Sequence, residues 1–157
     1  MGSVEPTASE VANLLIALCA TPSTGRTAPH PLDVVRTARA AVRVTDYAPH
    51  INNEAIRDLS VAHASTFGDA IEALVADMRS GTYAAWKGES YPHAVIRFYD
   101  HGGRIFINLQ RLGDPMSVLV FRNEHGDFGG PCLNQIAELD LFALEELAKA
   151  MEPMTVE

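Results

Sequence analysis

The stretch HAVIRFYDHGGRIFINL, residues 93–109, is where the chain changes its period. Before it, apolar residues recur every three or four positions. Here they alternate, first through HAVIRFY and again through RIFINL, with DHGG between, which is the pattern of two strands joined by a short turn. A turn centred on His101-Gly102 pairs Phe98 with Ile105, Ile96 with Ile107 and Ala94 with Leu109, so one face of the hairpin is wholly apolar. Slipping either strand by one residue mixes the two faces, which selects this register. The other face carries Val95, Arg97, Tyr99, Arg104, Phe106 and Asn108, with Tyr99 across from Arg104 and Arg97 across from Phe106.

Downstream, SVLVFR (117–122) reads as a third strand, and NEHGD (123–127) as the turn after it. Its outgoing strand is expected to be weak, because FGGPC packs little and Pro131 cannot donate a ladder hydrogen bond. Residues 139–151, LDLFALEELAKAM, return to helical spacing.

Upstream, Thr7 and Glu10 form a T-x-x-E capping box, and Val11, Leu14, Leu15 and Leu18 follow as one helical face. The proline-rich stretch 20–31 is expected to be a loop. LDVVRTARAAVRV (32–44) predicts a second helix, with Val34, Val35, Ala38 and Val42 inward and Arg36, Arg39 and Arg43 outward. Residues 53–80 predict helix in two pieces. In the second, Ser65 or Thr66 is the cap, Phe67, Ile71, Leu74, Val75 and Met78 are the stripe, and Gly81 is the stop. The expectation is an α+β fold: three or four N-terminal helices, an antiparallel β-meander of three to four strands, and a C-terminal helix. The 157 residues suit a single domain over 1–157, frayed at 1–6 and 152–157.

Composition narrows the class. Apolar residues make up 47% and charged residues 20%, as in a folded globular protein. The net charge of −8 is spread along the chain and disfavours a surface that grips nucleic acid throughout. The apolar run VANLLIALCA (11–20) follows Glu5 and Glu10 rather than basic residues, unlike a signal peptide, and no run is long enough to span a membrane. Cys19 and Cys132 make no CxxC pair. These features read as a cytoplasmic chain.

Two constellations carry chemistry. The His-Gly turns at 100–103 and 123–127 leave a meander at the same end, so Asp100, His101, Glu124, His125 and Asp127 are candidate ligands for a divalent metal or an acid–base site. Aspartate, glutamate and glycine are also ordinary turn residues, and solvated turns explain them equally. Second, Arg97, Tyr99, Arg104 and Phe106 place cations among aromatics on one sheet face, which suits stacked single-stranded bases or simple cross-strand packing. Tyr83 and Trp86, in the helix-to-sheet connection, either cover the core edge or rim a partner surface. No HExxH, GxSxG, GxGxxG or P-loop pattern occurs, so the reading leans away from an enzyme and requires no cofactor. The resulting expectation is a small acidic interaction protein (adaptor, immunity protein or inhibitor) with a basic protein partner. A metal-dependent enzyme built on the turns and a nucleic-acid-binding domain built on the sheet face are the alternatives. Nothing in the sequence sets the oligomeric state.

Overall fold

The computed structural model describes residues 6–21, 30–45, 53–99, 103–123 and 137–150. The elements follow as α1 (Ala8–Ala20), α2 (Pro31–Arg39), β1 (Val42–Val44), two 3-10 turns (Asn53–Ile56 and Ser60–His63), α3 (Phe67–Ser80), α4 (Thr82–Lys87), β2 (His93–Tyr99), β3 (Arg104–Gln110), β4 (Ser117–Arg122), β5 (Ala137–Asp140) and α5 (Leu141–Ala150). The strands form one antiparallel sheet in the order β1-β4-β3-β2-β5. The architecture is α+β, with five described strands rather than three or four.

The hairpin register is the one the apolar pattern selects: Phe98 opposes Ile105, Ile96 opposes Ile107 and Ala94 opposes Leu109. β4 extends that face with Leu119 and Phe121, and all these side chains are buried in one cluster with the helices. Phe67, in the first turn of α3, pins helix to sheet. Its ring meets Phe98 edge-on at 5.6 Å and Phe121 at 5.8 Å, and its backbone amide donates to the Ala41 carbonyl at 2.9 Å.

α3 begins and ends where its sequence says. The Thr66 hydroxyl accepts from the Asp69 amide at 3.2 Å, and Gly81 closes the helix in the left-handed region at φ 80°. At the start of α3, Gly68 lies under α2. A Cβ there would meet the Arg39 carbonyl oxygen at 3.1 Å and the Arg39 Cβ at 3.3 Å, so the missing side chain lets the two helices approach. Arg39 then reaches Glu72 of α3 and, at 3.0 Å, Asn13 of α1, tying three helices together.

Four expectations change. The capping box at Thr7 and Glu10 forms, but α1 buries Val11, Ala12, Leu15, Ile16 and Ala20 while Leu14 and Leu18 face outward. The segment is apolar on nearly every side, so its spacing admitted more than one face. The second helix stops at Arg39, and Val42–Val44 is a strand. Two β-branched valines alternate there with Arg43, and β4 supplies a partner backbone, so pairing wins over a weak helical continuation. Arg43 therefore does not point outward from a helix beside Arg36 and Arg39. Its guanidinium donates to the Ala62 carbonyl, and burial lowers its pKa. Residues 139–140, expected as helix, instead end β5, which pairs with β2 on the far side of the hairpin rather than continuing the meander beside β4. Over 53–80, the first helical piece consists of the two 3-10 turns.

Beyond Val44, the backbone of β4 is met by a side chain. The Asn53 side-chain oxygen accepts from the Val118 amide at 3.0 Å, and its nitrogen donates to the Val118 carbonyl at 3.3 Å. One amide thus satisfies both backbone groups of a strand residue. Asn53→Ala is expected to lower stability by about 1–3 kcal/mol, because it strands a half-buried donor and acceptor together. A urea midpoint shift accompanied by faster hydrogen exchange at Val118 would show this, and an unchanged midpoint would refute it.

Candidate interaction surface

The second face of the sheet is built from the residues that alternate with the core. One row crosses it as Glu138, Arg97, Phe106, Val120 and Val44, each opposite the next. A second runs Tyr99, Arg104, Arg122 and Val42, and a third Asp140, Val95, Asn108 and Val118. Val95 and Val120 are buried yet lie outside the cluster that joins the helices to the sheet. Burial of Phe67, Ile71 and Leu74 in that cluster places α3 on the opposite face. The outer face therefore has an apolar strip of its own, ending in Val42, which is 59% exposed on the edge strand.

Charges border this strip unevenly. Along β5, Glu138 and Asp140 are exposed. Glu138 accepts from Arg97 at 2.8 Å, and that hydrogen bond raises the Arg97 pKa. At the turn end of the sheet, Arg104 stands directly opposite Arg122, and its guanidinium lies 5.8 Å from the Tyr99 ring centroid. Tyr99 also meets Phe106 edge-on at 5.2 Å. Arg97, Tyr99, Arg104 and Phe106 thus lie together on one face, as the register requires. Val44, Val118, Val120, Arg122, Glu138 and Asp140 join them on the same face without a sequence signal that marks them, and Val42, expected inward on a helix, lies there too. Extending the hairpin arithmetic to the third strand would have found the two β4 valines and Arg122, whereas the residues of β1 and β5 needed their pairing partners.

Tyr83 and Trp86 sit elsewhere, on the core side. Tyr83 is fully buried, and its ring lies 5.5 Å from that of Trp86. Burial pushes the Tyr83 hydroxyl pKa up, and the Glu145 and Asp140 carboxylates push it the same way. Trp86 donates its indole N–H to the Ala55 carbonyl at 2.9 Å, and Arg111 covers its ring at 5.7 Å. These contacts lock α4 against the first 3-10 turn and the β3–β4 connection. They make both aromatics part of the scaffold behind the sheet.

Of the metal-ligand candidates, Asp100, His101, Glu124, His125 and Asp127 all lie outside the described residues. Their flanks are described. The Asn123 amide donates to the Gly103 carbonyl at 2.9 Å, so these two flanking residues lie side by side at one end of the sheet. Among the described residues no group of three His, Cys, Asp or Glu side chains is placed to hold a metal ion. No described helix is long and apolar enough to cross a membrane. The chain matches no family model, no curated protein and no solved structure.

Proposed function

We propose that this chain is an interaction protein that receives a protein partner on the outer face of its sheet, in the manner of an adaptor, immunity protein or inhibitor. The observation that supports this is the apolar strip of Val42, Val44, Val118 and Phe106, partly or well exposed and outside the core, which is bordered by Arg97, Arg104, Arg122, Glu138 and Asp140. An apolar centre with a polar rim is the usual anatomy of a protein–protein contact. The mixed rim favours protein over nucleic acid, since Glu138 and Asp140 would face any phosphate backbone laid across the strands. The net charge of −8 favours a basic partner, by speeding its approach. A cytoplasmic setting fits Cys19, a half-buried free thiol whose pKa burial raises, which makes it a poor nucleophile.

The test is capture from an extract of the source cells at low and physiological salt, using wild type, Val42→Glu and Phe106→Ser. The expected result is a discrete protein retained by wild type, held less well as salt rises, and lost at least tenfold by both variants while their melting temperatures stay close to wild type. Retention equal across all three chains would refute the outer face as the contact. Retention abolished by nuclease would move the reading to nucleic acid.

A further inference from the structure

We propose that the outer edge of β5 is a strand-addition site, which pairs with an extended segment of the partner in which basic residues alternate with apolar ones. This deepens the reading of the sheet as the contact surface and rests on that reading. Backbone groups point alternately to the two sides of a strand, so one hydrogen bond sets the phase for the whole sheet. The Gly103 carbonyl accepts from the Asn123 amide, so Gly103 points to β4 and Arg104 points to β2. Arg104 opposes Tyr99, which therefore points back to β3, and Phe98 and Ile96 point to β5. They meet Ala137 and Leu139, which leaves the backbone groups of Glu138 and Asp140 directed away from the sheet.

The same phase accounts for how the other outward backbone groups are sealed. It turns Val118 away from β3, and the Asn53 side chain takes both its N–H and its C=O, at 3.0 and 3.3 Å. It turns Ala41 and Arg43 away from β4. There the Ala41 carbonyl accepts from the Phe67 amide and the Arg43 amide donates to the Ser65 carbonyl, each at 2.9 Å. At β5, by contrast, the Glu138 N–H and C=O and the Asp140 N–H meet no described residue. Unlike an apolar patch, such an edge specifies its occupant, because an extended backbone matches donors and acceptors at this spacing.

Side chains set the chemistry of that occupant. Glu138 and Asp140 are exposed on the outer face, and each keeps a carboxylate oxygen without a described donor. Arg97 reaches Oε2 of Glu138, and the Phe142 amide reaches Oδ1 of Asp140. Leu139, between them, lies on the core side, half-buried against the main cluster. An antiparallel strand joining this edge therefore sets a basic residue beside each carboxylate and an apolar one beside Leu139. A second copy of the chain is disfavoured. In a twofold pairing of β5 with β5, the residues whose backbones meet are Glu138 and Asp140, so every such register puts carboxylate against carboxylate.

The experiment is fluorescence anisotropy at low salt, titrating the full chain against a capped, labelled peptide in which lysine and valine alternate. Wild type is expected to bind it, more weakly as salt rises, and to ignore the same peptide with glutamate in place of lysine. A methyl group on the backbone nitrogen of each lysine should abolish binding, because an antiparallel strand turns those N–H groups towards β5. Glu138→Pro removes one outward N–H and one carboxylate without touching the β2 ladder. It should weaken binding roughly tenfold while the melting temperature stays close to wild type. Glu138→Gln keeps the N–H and should weaken binding roughly threefold. Asp58→Asn, which removes a charge on a side chain 85% exposed between the two 3-10 turns, should bind as wild type does. No binding up to roughly 1 mM, or binding indifferent to lysine backbone methylation or to Glu138→Pro, would overturn the inference. The peptide stands in for the partner, so these results leave the outer-face contact to be decided separately by capture with Val42→Glu and Phe106→Ser.

Discussion

Replacing Phe67 by alanine is expected to destabilise the protein by about 3–5 kcal/mol, the range for deleting a fully buried aromatic side chain. The ring is fully buried and makes edge contacts with Phe98 on β2 and Phe121 on β4, so it touches both sides of the central strand β3. Removing it leaves a cavity at the junction of α3 and the sheet, where three elements already fixed by hydrogen bonds have little freedom to collapse. Edge-on aromatic pairs add about 0.5–1.5 kcal/mol each beyond the area they bury. For a chain of this size the melting temperature should fall by roughly 10 °C, with the slope of a urea titration unchanged. Phe142→Ala is the comparison. That ring is half exposed on α5, beside Tyr91 at 6.2 Å, and its removal should change stability by less than about 1 kcal/mol. Equal effects at the two positions would show that the helix layer does not rest on Phe67.

Lys87→Met is expected to cost about 2–4 kcal/mol at neutral pH, because it strands a buried carboxylate. Glu145 on α5 is buried, and the Lys87 ammonium donates to both of its oxygens, at 2.8 and 2.7 Å. Lys149 is half exposed and lies 3.1 Å from the same carboxylate. Burial alone would raise the Glu145 pKa, but the hydrogen bonds from Lys87 and Lys149 outweigh it and hold the carboxyl below its ordinary value. A folded-state pKa that is depressed contributes stability above the unfolded value, lost as pH falls through the folded one. In wild type that loss therefore comes below the ordinary carboxylate range. Without Lys87, only Lys149 opposes the burial penalty, so Glu145 should take up its proton at higher pH than in wild type, which relieves the stranded charge. The stability gap between wild type and variant should accordingly be widest near pH 7 and narrow on acidification towards pH 4. A gap that stays constant over this range would mean that the ion pair contributes nothing specific.

The sheet was legible in the sequence to the extent that alternation was uninterrupted. In β2 and β3 seven consecutive residues alternate and one register alone separates apolar from polar, so the pairing of Arg97 with Phe106 and of Tyr99 with Arg104 could be read directly. β1 and β5 are shorter, at three and four residues, and each abuts a helix without punctuation. Val42–Val44 looks like the end of α2 until β4, far along the chain, is there to pair with it. Glu138 to Leu141 does alternate, but Leu139 and Leu141 also fit the helical spacing that follows. α1 failed for the opposite reason: with Val11, Leu14, Leu15, Ile16 and Leu18 all apolar, periodicity could not say which side faced inward, and contacts with α2 and α3 decided it. The outer face was half legible for the same reason as the strands. Its β2 and β3 residues followed from register, whereas its border of Val42, Glu138 and Asp140 depended on long-range pairing that no local pattern carries.

The contact proposed for the outer face is tested most directly by a photo-crosslinking side chain, p-benzoylphenylalanine, introduced at position 42 and, in a separate chain, at Ala143 on the exposed side of α5. Irradiation in an extract of the source cells should join position 42 to one discrete protein, and position 143 to none. Crosslinks of equal yield from the two positions, or none from position 42 alongside a strong product from 143, would contradict a partner seated on the sheet.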